Sequence, residues 1–244
     1  MKKSFIILLL SSFSALCGPI EDWDLFEKHI RDQTISKDSA HHLFPVIYDS
    51  LLIFSSRFSF ANQSPWTFPV QGYSIHDAGK NSFKPDIYYG GSPIKGYDFY
   101  DGNRYGGHPA YDIFIHDKNR DCRDDRTGKQ VNVVAPCDMF ILSTNTLWQK
   151  GSDIRGGNYI WAVAPQSGEL LYFAHLDSVL VGKGTFVQSY ERIGTIGRTG
   201  KNAVSKDSPT HLHMMVLRIS KDGITPVDFI KSFSEKPGPT SKFP

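Results

Sequence analysis

From Trp66 onward the chain reads as short β-prone runs cut at close intervals by glycine. Val131 to Ala135, Phe140 to Ser143, Tyr159 to Ala164, Leu170 to His175 and His211 to Ile219 are such runs. Turn signals such as Gly156-Gly157-Asn158 and Gln166-Ser167-Gly168 separate them. No run is long enough to bury a core alone, so the strands must pair with one another. Many short strands at close spacing predict a mainly β fold, an antiparallel β-sandwich or half-open barrel. No internal repeat interrupts the pattern.

The start of the chain is different in kind. Lys2 and Lys3 precede an apolar run from Phe5 to Leu16, too short to span a bilayer, and residues 1–17 read as a secretory signal peptide. Ala15-Leu16-Cys17 places small residues for cleavage before Gly18, while a lipid anchor on Cys17 is the rival reading. Residues 18–64 predict a short helical segment, with Trp23, Phe26, His29 and Ile30 at helical spacing and a second apolar stretch interrupted at Pro45. Residues 65–234 form the β-rich domain, and 235–244 a polar tail. Without Lys2 and Lys3, 25 basic residues face 25 acidic ones. That balance leaves no electrostatic footprint for nucleic acid. The reading is an exported protein, periplasmic or secreted, with no membrane span after signal removal, and a monomer. Cys122 and Cys137 suit a disulfide in such a compartment, or two reduced thiols.

The chemistry lies in three histidine-bearing regions. His211-Leu212-His213 stands in a β-prone run, so both imidazoles share one face, opposite Leu212 and Met214. His108-Pro-Ala-Tyr-Asp112 separates a His and an Asp by four residues, which keeps both groups on one side of a strand or helix. His175 closes the run from Leu170. Each alone has an ordinary structural reading. Together they offer the His and Asp ligands of a catalytic zinc ion, which takes three protein ligands and leaves one position open. His41-His42 is adjacent in sequence, faces apart, and reads as surface. His-Glu-X-X-His and a phosphate-binding Gly-Lys-Ser/Thr are both missing.

Over about residues 66–231 these regions resemble the lysostaphin/LytM-type zinc endopeptidases, which cut the peptide part of bacterial peptidoglycan. Trp66 to Gly72 looks like the family's opening strand, and Gly107-His108 through Asp112-Ile113 like its first metal motif. Gly157-Asn158-Tyr159 and Tyr172 to Leu176 resemble the central strands. Ile193 to Gly200 followed by His211-Leu212-His213 resembles the glycine-rich turn and final metal motif, and Pro226-Val227-Asp228 the closing segment. The resemblance implies zinc on His108, Asp112 and His213, with His175 and His211 as the two catalytic histidines, either of them the general base. It implies a peptidoglycan stem or cross-link peptide as substrate. Tyr105 is a candidate hydrogen-bond donor beside the site.

Two departures stand out. A polar insertion, Asp117 to Asp125, follows the first motif. Its Asp117, Asn119 and Asp121 alternate like a calcium loop, but Cys122 replaces the turn glycine and no terminal Glu follows, so it reads as a solvated acidic loop. The stretch from Gly200 to His211 is also longer than the family's. The alternatives to a wall peptidase are a secreted zinc protease acting on proteins and a non-catalytic wall-binding or regulatory protein on the same fold.

Overall fold

The computed structural model describes residues 18–58, 66–89, 92–103, 106–220 and 223–233. The signal-like residues 1–17, Tyr105 and the tail from 235 therefore lie outside the described residues. Two compact units divide the chain, one extending to Ser59 and including Ile87–Gly107, the other comprising Phe60–Asp86 and everything from His108.

In the first unit, α1 (Pro19–Arg31) begins with Pro in its opening turn, where a missing N–H costs nothing. Trp23, Phe26 and Ile30 line its buried side. α2 (Lys37–Ser55) starts at Ser36, whose hydroxyl accepts from Ser39 N at 3.1 Å. Pro45 does not interrupt α2. It sits exposed inside the helix, where the lost donor faces solvent, while Leu43, Phe44, Ile47, Tyr48 and Leu51 bury the opposite side. Phe99 packs its ring 5.7 Å from Phe44 and 6.3 Å from Trp23. His41 and His42 are exposed, as their adjacency implies. The strands β1 (Asp86–Tyr89) and β2 (Ser92–Gly96) make a separate two-stranded ladder. No helix among the described residues is long and apolar enough to cross a membrane.

The second unit is the expected antiparallel β structure. Its strands are β3 (Ala110–Phe114), β4 (Asn132–Val134), β5 (Met139–Asn145), β6 (Asn158–Ala164), β7 (Glu169–Val179), β8 (Phe186–Val187), β9 (Arg192–Ile196), β10 (His211–Ser220) and β11 (Gly223–Pro226). The spine of the sheet runs β11-β10-β7-β6-β5-β8, with β3 also on β10 and β9 joining β7 to β4. The branching follows from strand length. β10 gives its first half to β3 and its second half to β11, and keeps β7 along its other edge.

Alternation assigns the two faces. Tyr111 and Ile113 of β3, Ile160 and Ala162 of β6, Leu171 and Phe173 of β7, and Leu212, Met214 and Val216 of β10 all enter one hydrophobic core. Asp112, Tyr172, Ala174, His211 and His213 consequently fall on the opposite face. Beyond Ala174 the phase slips. Leu176, not His175, returns to the core, and β6 spans Asn158 to Ile160 while β7 spans Leu176 to Phe173. That is one extra residue on β7, a β-bulge. His175 supplies the matching backbone, with φ of +65°, and β7 continues past it to pair with β9. The histidine therefore interrupts a strand that the sequence pattern would end there.

Cys122 and Cys137 are free thiols rather than a disulfide. Cys137 is buried in the sheet core and Cys122 lies half-buried in the polar insertion. Burial pushes both thiols up, to about 12 and about 11.

Candidate metal centre

Asp112 and His213 stand directly opposite each other in the β3–β10 ladder, on the face away from the core. In that register a cross-strand pair brings its side chains together without any loop. His213 turns Nδ1 toward Asp112 Oδ1 at 3.0 Å. His108 precedes β3 and is fixed by a two-bond bridge with Lys84, His108 N to Lys84 O at 2.6 Å and Lys84 N to His108 O at 2.8 Å. Its ring donates from Nδ1 to Ser82 O at 2.5 Å, which aims Nε2 at Asp112 Oδ2, 3.3 Å away. Ser82 serves both residues, for its hydroxyl accepts from Asp112 N at 3.1 Å.

Ligand atoms of His108, Asp112 and His213 all lie within 4.8 Å of one another. Among the described residues no other group of His, Cys, Asp or Glu converges this way. A tetrahedral zinc with bonds of about 2.0–2.1 Å keeps its ligand atoms about 3.3 Å apart, so the observed 3.0 and 3.3 Å separations suit it. The acidic loop offers no comparable site. Asp117 is buried there and accepts from the backbone N–H groups of Asp121 and Cys122.

Beside this cluster lie the other two histidines. The His175 and His211 rings are 4.9 Å apart, and His175 is 5.5 Å from His213. Each is tethered the same way: His175 donates from Nδ1 to Thr199 O and His211 from Nδ1 to Pro209 O, both at 2.8 Å. Both tethers therefore leave Nε2 as the basic nitrogen. His211 Nε2 reaches to 3.7 Å from Asp112 Oδ1.

A pair of glycine turns holds His175 in place. Its N–H donates to Gly156 O at 2.8 Å. Thr199 donates its hydroxyl to Leu176 O at 2.8 Å and accepts from Asn158 N at 2.9 Å. Gly157 packs so closely on this turn that a Cβ would lie 2.3 Å from Thr199 C. A Cβ on Gly200 would lie 2.4 Å from Arg155 O and 2.9 Å from His175 Nδ1. Only glycine permits that approach.

The electrostatics set the protonation states a metal would need. Burial acts to raise the Asp112 carboxyl, but bonds from His108 and His213 outweigh it and hold the group well below the usual carboxylate range. Burial lowers His213. Burial, then the neighbouring His213 and His211, lower His175 to about 3. Burial opposes protonation of His108 too, yet Asp112 overrides it and the net shift is upward. At neutral pH Asp112 is ionised while His175 and His213 are neutral, the forms that bind metals and accept protons.

The structure thus brings all five predicted residues together around Asp112 and His213. Tyr105 lies outside the described residues. Sequence reasoning missed Pro209, which acts through its main-chain carbonyl, and Ser82, which uses both its carbonyl and its hydroxyl from a loop 26 residues before His108. Thr199 was in view only as a turn residue. A Thr between Gly197 and Gly200 was its available signal.

Residues 124–228 match the model of peptidase family M23, a stretch that contains His175, His211 and His213. No curated protein matches the chain by sequence. Among solved structures, the lytM protein of Ruminococcus gnavus is 23% identical, covering 67% of this chain and 57% of its own, with a TM-score of 0.41. The catalytic domain of the antimicrobial peptidase lysostaphin from Staphylococcus simulans is 22% identical, covering 64% and 95%, with a TM-score of 0.41. A zinc-containing peptidase from Vibrio cholerae is 17% identical, covering 72% and 41%, with a TM-score of 0.42. The chain thus spans less than two thirds of the first and third of these proteins.

Proposed function

We propose that this chain, whose residues 124–228 match the model of peptidase family M23, is a zinc-dependent endopeptidase cutting stem or cross-link peptides of peptidoglycan. The observation that carries the reading is the convergence of three ligand atoms within 4.8 Å beside two tethered histidines with free Nε2 atoms. His108, Asp112 and His213 would hold the metal. Bound zinc would lower the pKa of a water to about 7 and polarise the scissile carbonyl.

The chain's own residues supply the rest. With Nδ1 tethered, His175 and His211 each keep Nε2 as the nitrogen for proton transfer, so either accepts a proton from the attacking water and returns it to the leaving amine. Their Nδ1–H tethers keep that assignment fixed through the cycle, because the backbone carbonyls of Thr199 and Pro209 only accept. Once protonated, the same Nε2–H groups face the developing oxyanion as donors. The ionised Asp112 stabilises the charged imidazolium of His211, whose Nε2 lies 3.7 Å away. A wall substrate agrees with the export signal read in residues 1–17.

The test is incubation of the purified protein with isolated cell walls and with a panel of soluble proteins. Release of soluble muropeptides that a chelator abolishes and added zinc restores is expected. Cleavage confined to the proteins would replace the substrate assignment, and wall binding without any cleavage would overturn the enzyme reading.

A further inference from the structure

The polar insertion reads in sequence as a solvated loop, yet its first residue is buried. Asp117 is only 7% exposed. Its Oδ2 accepts from Thr210 Oγ1 at 2.6 Å and from Cys122 N at 2.8 Å, and its Oδ1 from Asp121 N at 3.1 Å. A carboxylate leaves water only where donors replace its solvent. Here one of those donors comes from 93 residues away. The turn it organises holds Arg120 and Cys122 at φ of +61° and +65°, conformations that L-residues avoid unless something fixes them.

Thr210 is the residue before His211 and is fully buried. Its carbonyl accepts from Ile115 N at 3.3 Å, and Pro209, one residue earlier, provides the carbonyl that tethers the His211 ring. Rotation of the Pro209–Thr210 segment would carry that carbonyl away from Nδ1. The Asp117–Thr210 bond is the side-chain contact that resists such rotation. A second tie reinforces it from outside. Arg198 donates from Nη1 to Arg120 O at 3.2 Å and from Nη2 to Ser205 O at 2.6 Å, joining the insertion to the long stretch before β10.

We propose that Asp117 is a positioning residue for His211: through Thr210 it locks the entry of β10, and with it the Pro209 carbonyl that orients the imidazole. The insertion is then a brace for the acid–base group. This rests on His211 acting in the proposed peptidase, so its test includes a readout that needs no turnover.

In the zinc-loaded full chain, Thr210→Val removes the hydroxyl at nearly constant shape and Thr210→Ser keeps it. Thr210→Val is expected to lower kcat by about 10–100-fold, since a misplacement of about 1 Å at a reacting group costs on the order of 100-fold. KM should change little, and Thr210→Ser should recover most of the loss. In parallel, the ring 15N signals of His211 should show a fixed Nδ1–H in the parent and in Thr210→Ser, and a mixture of tautomers in Thr210→Val. Unchanged kcat or unchanged His211 signals in Thr210→Val would overturn the proposal. If Thr210→Val fails to fold, Asp117→Asn decides by the same two readouts, because it keeps the shape and weakens the acceptor. A parent protein with no peptidase activity would refute the enzyme reading alone, and the His211 signals would still judge the brace.

Discussion

Replacing Gly200 by alanine should damage both stability and catalysis, and the structure says by how much. Gly200 has φ of +113°, outside the left-handed well that an L-residue visits, and such a conformation costs of order 1–3 kcal/mol. The new Cβ would also stand 2.4 Å from Arg155 O and 3.1 Å from Gly157 N. Both are backbone atoms of the facing turn and cannot swing aside, so overpacking adds about 1–3 kcal/mol. The sum, about 2–6 kcal/mol, is a large part of the 5–15 kcal/mol that holds an ordinary domain. Relief requires the two glycine turns to separate, which draws Thr199 O away from His175 Nδ1. Gly184 provides the control, with φ of +80° and open space where its Cβ would stand. Gly184→Ala should cost about 1–2 kcal/mol for the backbone alone. Urea midpoints of both variants, with kcat on a glycine-containing peptide, make the comparison. Equal midpoints and equal kcat would show that the turn-on-turn contact does not position His175.

Three further outcomes are expected. His213→Ala should lose stoichiometric zinc on dialysis, measured by elemental analysis, and retained metal would refute the ligand set. Asp124 is buried, accepts from Tyr73 Oη at 2.6 Å and from Arg126 Nη2 at 2.7 Å, and its carboxyl is held well below the usual range, first by Arg126. A depressed carboxylate adds stability that is fully present above its unfolded pKa of about 3.9 and is lost as pH falls through the folded value. Asp124→Asn should therefore lose about 1–3 kcal/mol at pH 7 and narrow the gap in unfolding free energy between pH 7 and pH 3. Equal gaps in parent and variant would contradict it. Cys122 and Cys137 should both take up iodoacetamide in denaturant without prior reduction, and a mass showing neither modified would restore the disulfide.

Where a residue's role depends on the two-residue period of a strand, the sequence shows it. His211 and His213 share a face because Leu212 and Met214 fill the core between them. Asp112 is legible for the same reason, flanked by Tyr111 and Ile113. The strands from Phe140, Tyr159 and His211 fall within a few residues of their observed limits. What alternation could not show was where it breaks. The bulge at His175 leaves no compositional mark, since a single αL residue changes backbone angles and not residue type. Nor could it show that Asp117 is buried, because its partner Thr210 is distant in sequence and neither residue is apolar. Pro45 misled for a related reason: its effect depends on which side of the helix faces water, and that is decided by packing.

The extra residue in β7 has a consequence beyond placing one imidazole. A strand that slips phase once has two halves whose patterns are independent, Leu171 and Phe173 keeping one count and Leu176 the other. Removing a single residue there would let the whole strand run in step. The sheet would become more regular, its hydrophobic face would stay filled, and the imidazole that the proposed mechanism uses would be gone. Loss of chemistry in this architecture is therefore a short move that need not weaken the scaffold. Gaining it means accepting an irregularity in the middle of the sheet, held open by the turns that grip Thr199.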